Sequence, residues 1–241
     1  MTILDVRSVS RRFGGLQALS DVTFSVPHGQ IVGLIGPNGA GKTTFFNVLV
    51  GLRPPNTGTI LLDRESIGGL KPHTIAARGM TKTFQNVALF AESSVLDNVL
   101  TAGLLRHPVT VARNAALQCL ERVGLAEVAA KRAGDLSFPE RARVELARAL
   151  CTGPKVLLLD EVMAALNPVE MQEMMDLIRS LRDDGLTLLV VEHHMRAIMA
   201  ICDRIVVLNF GRIIADGTPR EVASNPEVIE AYLGRAMEKP H

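Results

Sequence analysis

No excess of one charge marks this chain of 241 residues: 26 Lys and Arg stand against 25 Asp and Glu, a formal net charge of +1. Such a balance builds no general field toward a polyanion or an anionic membrane, so composition gives no support to a nucleic-acid partner. Cysteine is scarce. Cys119, Cys151 and Cys202 are far apart in sequence and form no C-x-x-C pair, and they read as small core hydrophobes in a reducing compartment. Long apolar runs are missing too: none approaches the roughly 20 residues that a spanning helix needs. The opening Met1-Thr2-Ile3-Leu4-Asp5 lacks the charged-then-apolar order of a secretory signal. The expectation is a soluble, cytosolic protein. Its length allows a sizeable core, as one large domain or a core with a subdomain, and 47% apolar residues is ordinary for an α/β protein.

What the chain does contain centres on Gly33 to Thr44, GLIGPNGAGKTT. From Gly36 to Thr43 it follows G-x-x-x-x-G-K-[ST], the phosphate-loop pattern. Ile31-Val32-Gly33-Leu34-Ile35 before it reads as a buried parallel strand, and Thr44 to Val50 after it as a helix stopping near Gly51. Gly36, Gly39 and Gly41 permit positive φ and a close backbone approach, so that N–H groups can wrap a phosphate. A helix opening at Lys42 adds the positive end of its dipole. Lys42 supplies a point charge for the β- and γ-phosphates, Thr43 a hydroxyl for Mg²⁺, and Thr44 a further donor. A bound nucleoside triphosphate is expected across Gly36, Pro37, Asn38, Gly39, Ala40, Gly41, Lys42, Thr43 and Thr44.

Around the loop the chain reads as α/β. Residues 2–9 and 18–26 suggest strands, with a turn over Arg11 to Gly15, and 59–63 and 80–85 suggest further strands. The opening reads as a small antiparallel sheet beside a parallel core. Phe13 is open between a surface-turn aromatic and a face for a nucleotide base. Residues 95–133 change to helical spacing and read as an inserted helical subdomain. In Leu136 to Leu150, Ser137 is an N-cap with Glu140 three places on, a capping box, and Pro139 falls in the first turn, where its missing N–H costs no intrahelical bond. By itself this is an ordinary solvated helix. Val156-Leu157-Leu158-Leu159 is a buried strand that delivers Asp160 and Glu161 to its C-terminal end, where α/β sheets bind ligands. Asp160 is placed to hold Mg²⁺ and Glu161 to deprotonate an attacking water. Leu186 to Val191 ends in Glu192-His193-His194, which places His193 toward a γ-phosphate. A hairpin about Asn209-Phe210-Gly211 and a helical tail over 219–233 follow.

As an ordered set, these residues resemble the ATP-binding subunit of ABC transporters over nearly the whole chain: Phe13, GPNGAGKT, Gln85, LS at 136–137, VLLLDE, ALNP at 165–168 and VEH at 191–193. RFGGLQAL, TFQNVALF, VEHHM and the ending IADGTPREVASNPEVIEAYLG are similar to the branched-chain amino-acid transport group. The resemblance implies a RecA-like P-loop core with a mostly parallel sheet, an antiparallel β subdomain and an inserted helical subdomain. The core would be residues 1–85 and 153–241, and the helical subdomain 86–152, within a single nucleotide-binding domain. It implies ATP and Mg²⁺ as cofactors, Phe13 stacking on the base, and Gln85 touching Mg²⁺ and the attacking water. It also implies two subunits clamping ATP head to tail, each phosphate loop facing the other's Ser137 and Glu140. Transmembrane permease subunits would dock near residues 86–100, with an external solute-binding protein completing an importer at the cytoplasmic face of the inner membrane.

The chain departs from the family pattern at several positions. Phe138 and Pro139 occupy the two glycine positions of the LSGGQ signature, and Pro139 has no N–H to offer the opposing γ-phosphate. Val162, Ala165 and His194 replace a usual proline, glycine and aspartate. Two rival readings accompany the leading one: a slow subunit in a heterodimer, and an ABC ATPase acting on nucleic acid or ribosomes.

Overall fold

The computed structural model describes residues 1–84 and 88–237, with side chains described through residue 232. Two sheets carry it. The first is antiparallel, ordered β2-β1-β4-β5, from β1 (Thr2–Phe13), β2 (Leu16–Pro27), β4 (Thr57–Leu62) and the short β5 (Glu65–Ser66). The second comprises β3 (Ile31–Ile35), β6 (Met80–Lys82), β7 (Val156–Asp160), β8 (Thr187–Val191), β9 (Arg204–Asn209) and β10 (Arg212–Gly217), ordered β10-β9-β3-β8-β7-β6. Every pairing in it is parallel except that of the edge strand β10 with β9.

The parallel strands are apolar on both faces because both faces are covered. In β3, Ile31 and Ile35 join one core cluster and Val32 and Leu34 the other. Leu157 and Leu159 of β7 likewise oppose Val156 and Leu158. One cluster holds α1 (Lys42–Leu49), α2 (Pro72–Arg78) and the antiparallel sheet. The other holds α3 (Val95–Gly103), α4 (Val109–Arg122), α5 (Phe138–Cys151), α6 (Pro168–Asp183) and α7 (Met195–Ile201). The apolar faces of this helical segment are buried: Leu96 and Val99 of α3, Ala116 and Leu120 of α4, and Val123 beyond it, with Leu100 half-buried against them.

Several boundaries differ from expectation. The first turn is confined to Gly14 and Gly15; Arg11, Arg12 and Phe13 remain in β1, opposite Leu19, Gln17 and Leu16. Two glycines suffice to reverse a hairpin, so Phe13 closes a strand and is not a turn residue. The strand expected over 80–85 ends at Lys82, and Gln85 lies outside the described residues. The tail is two helices, α8 (Pro219–Ser224) and α9 (Pro226–Met237), because Asn225 precedes a proline and is held extended at ψ 120°. The cysteines also behave differently than their spacing suggests. The fold brings two together: Cys119 and Cys151 lie within hydrogen-bonding reach of each other, and the neighbouring thiol together with burial pushes the Cys119 thiol up.

Candidate functional site

The phosphate-loop segment leaves β3 and enters α1 through three glycines at positive φ: Gly36 at 152°, Gly39 at 80° and Gly41 at 110°. At Gly41 a Cβ would lie 2.7 Å from the Ala18 carbonyl, so any side chain would collide with β2. Lys42 opens the helix and is 7% exposed; its Nζ donates to the carbonyls of Gly36 at 2.7 Å and Pro37 at 3.3 Å. The ammonium is thereby held across the loop. The turn between β9 and β10 braces the loop from behind, since the Gly211 N–H donates to the Ala40 carbonyl at 2.8 Å.

Strand order supplies the chemistry. β8 lies between β3 and β7, so the C-terminal ends of all three converge on one edge. Glu161 follows β7 at φ 56°, its N–H donating to the Val191 carbonyl at 2.9 Å. That bend turns its carboxylate toward His193, whose Nε2 lies 2.8 Å from Glu161 Oε1. A cavity of about 380 Å³ is lined by Phe13, Asn38, Gly39, Ala40, Gly41, Lys42, Thr43, Thr44, Glu161 and His193, with Leu16, Gln17, Ala18 and Phe210 at the same wall. Phe13 and Phe210 bring two exposed rings to it. Ser137 and Glu140 do not line this cavity. Glu140 accepts from both the N–H and Oγ of Ser137, each at 2.7 Å, which lowers its pKa.

Asp160 is 3% exposed and burial pushes its carboxyl up, against the pull of Lys82. Three residues near it escaped sequence reading. Lys82, at the end of β6, points its Nζ at Asp160 Oδ2 (3.4 Å) and Asn47 Oδ1 (3.2 Å). Thr83 Oγ1 accepts the Asp160 N–H at 3.0 Å. Glu192 is 3% exposed; its Oε1 accepts the Met163 N–H at 2.7 Å while Oε2 is buried without a partner among the described residues. Lys82 falls in no motif, Thr83 enters only as the first residue of TFQNVALF, and Glu192 only within VEH, where the role goes to His193; the order β6-β7-β8 aims all three at one point.

Burial, with the charges of Glu161 and Asp160 adding to it, pushes Glu192 up to about 7 against its N–H bonds. An acid whose folded pKa is raised binds its proton more tightly when folded, so stability falls as pH rises from about 4.5 to 7 and stays reduced above that. Glu192→Gln keeps an acceptor for Met163 and removes the buried charge. It is expected to flatten this slope and to gain up to about 3 kcal/mol over the parent at pH 8. Denaturant melts at pH 5 and pH 8 measure it; equal slopes for parent and variant would exclude the effect.

A glycine-wrapped loop at a strand–helix junction, with a carboxylate pair and a histidine at neighbouring strand ends, defines a P-loop nucleoside triphosphatase. The family model for the ABC transporter matches residues 19–164, and the chain belongs to that family as an ATP-binding subunit. A second model, for the branched-chain amino acid ATP-binding cassette transporter, matches residues 212–238. The chain is 44% identical to the high-affinity branched-chain amino acid transport ATP-binding protein BraF of Pseudomonas aeruginosa, covering 97% of this chain and 98% of that one. To LivG of Escherichia coli K12, of the same description, it is 43% identical with the same coverage. Among solved structures, the ADP conformation of the cassette MJ1267 superposes with a TM-score of 0.89 at 29% identity, over 97% of this chain and 99% of that one. A dimeric cassette, MJ0796 bound to ADP and Pi, does so at 0.80 and 26%, over 90% and 99%.

The family hydrolyses ATP to power transport, and this chain is an ATPase of that kind. Such subunits dimerise and work with permease subunits. Among the described residues no helix is long and apolar enough to cross a membrane. Neither rival reading, the slow heterodimer subunit or the nucleic-acid ATPase, is favoured by these relatives.

Proposed function

We propose that this chain energises an importer of branched-chain amino acids by binding MgATP at the Gly36–Thr44 loop and hydrolysing it with Glu161 as base. The single observation that carries the chemistry is the Glu161–His193 bond of 2.8 Å at the mouth of the loop cavity. Lys42 and the loop N–H groups hold the β- and γ-phosphates, and the start of α1 adds its dipole. Phe13 offers its ring to the base. Glu161 takes the proton of the attacking water, and His193 orients Glu161 and contacts the γ-phosphate. Hydroxyl and carboxylate oxygens from Thr43 and Asp160 suit Mg²⁺, and the Lys82 ammonium at 3.4 Å from Asp160 supports a place for positive charge there. The metal would neutralise charge on the phosphates when bound; Gln85 is assigned to it by resemblance.

The second half of the site is Ser137 and Glu140 from another copy or a similar subunit. Residues 86–152 act as the helical subdomain between core segments 1–85 and 153–241. Permease subunits hold the chain at the cytoplasmic side of the membrane, and an external solute-binding protein delivers the cargo. The test is uptake of radiolabelled leucine, isoleucine and valine by cells with and without this chain; unchanged uptake of all three overturns the cargo assignment.

Phe138 and Pro139 bear on how firmly ATP closes the dimer. Phe138 is 50% exposed at the start of α5, and Pro139 lacks one donor. A charge-assisted bond to phosphate is worth roughly 1.5–3 kcal/mol. Pro139→Gly is therefore expected to tighten ATP-dependent dimerisation roughly tenfold or more, read by sedimentation in the Glu161→Gln background. Equal dimer affinity with proline and glycine would remove this role.

A further inference from the structure

Both flanks of the Gln85 position are fastened to α5. The Phe84 N–H donates to Glu145 Oε1 at 3.3 Å, and the Ala88 carbonyl accepts from Arg148 Nη1 at 2.9 Å. Arg148 Nη1 also donates to Glu145 Oε2 at 3.0 Å, closing a pair one helical turn apart. Glu145 is only 4% exposed, among the buried Val144, Leu146 and Ala147. Burial pushes its carboxyl up, opposed by Arg148 and the Phe84 N–H. A charge at such a position is costly, and packing alone would favour an apolar residue there.

Given the role assigned above to Gln85, we propose that Glu145 and Arg148 are positioning residues for ATP hydrolysis. They tie both sides of the Gln85 segment to the helix whose N-cap is Ser137. A 14-residue helix is a rod of about 21 Å. A displacement of Ser137 is carried along it to Phe84 and Ala88. Neither side chain lines the loop cavity, so ATP affinity does not depend on them.

Two double variants separate grip from packing. Glu145→Leu with Arg148→Leu removes a buried carboxylate together with its half-buried guanidinium partner, an exchange of charge for apolar groups that stability often tolerates, and leaves Phe84 and Ala88 unheld. Glu145→Gln with Arg148→Lys, the glutamine variant, keeps one acceptor for Phe84 and one long-chain donor for Ala88 while removing the carboxylate charge. In nucleotide-free protein, amide exchange of a peptide covering residues 83–89 is expected to speed up roughly tenfold in the leucine variant, with β7 peptides unchanged. Its kcat is expected to fall roughly tenfold with KM for ATP within about twofold, and the glutamine variant to recover both toward the parent. Parental exchange or parental kcat in the leucine variant would overturn the proposal, as would equal loss of turnover in both variants. Because the exchange arm uses no nucleotide, it stands apart from the ATPase assignment, which fails instead if Glu161→Gln leaves turnover intact.

Discussion

Glu161→Gln is expected to lower ATP turnover by roughly 10²–10⁴-fold while leaving ATP affinity within about twofold. The argument rests on how the carboxylate is presented. Glu161 stands at φ 56°, a conformation uncommon outside glycine, and its N–H bond to Val191 holds the bend in place. Strain of that kind persists because the neighbouring strand over-determines it. The side chain so presented is 15% exposed, against 51% for His193, which puts the base inside and the histidine at the rim. Glutamine preserves size and can still bond His193 but cannot take a proton from water. Steady-state phosphate release and equilibrium ATP titration are the measurements. Turnover within tenfold of the parent would remove Glu161 as the base.

Gly36→Ala is expected to cost at least about 2 kcal/mol of stability and to abolish measurable ATP binding. A Cβ built on Gly36 falls 2.0 Å from the Leu208 carbonyl and 3.0 Å from the Ala40 Cβ. The first obstacle is the backbone of β9, next to β3 in the sheet, so the loop must retreat and its N–H groups lose their aim. The φ of 152° adds strain. Gly15 is the control, since a Cβ there meets nothing within 4 Å and its φ is not positive. Thermal melts and ATP titration of both variants decide the matter: equal behaviour of Gly36→Ala and Gly15→Ala would show that the loop is not clamped against β9.

What the sequence made legible was local. The phosphate loop, the strand ending in Asp160 and Glu161, and the Ser137–Glu140 cap are each written within a dozen residues, where spacing maps directly onto hydrogen bonding. The parallel strands followed from short continuous apolar runs, the opening strand from loose alternation, and the helical layer from helical spacing. Lys82, Glu145 and Glu192 were not legible because each acquires its partner from a distant segment: Asp160, Phe84 and Met163 respectively. The meeting of Cys119 with Cys151 has the same origin. The turn expected over Arg11 to Gly15 proves shorter, because the pairing of Phe13 with Leu16 keeps Phe13 in the strand.

The register of β7 against β8 sets Asp160 opposite Val191. Side chains in a strand alternate between faces, so a slip of one residue would exchange the faces of Glu192 and His193. A buried carboxyl would then stand at the water-facing mouth, and an imidazole would be pressed against the backbone beside Met163. The distance from base to histidine is thus gauged by strands spaced about 4.8 Å apart, and the hydrophobic pattern of Leu188 and Val190 against Leu189 and Val191 is the vernier that keeps the gauge aligned. An apolar-to-polar exchange deep in β8, far from any phosphate, would cost stability first and, with the register, the alignment of base and histidine.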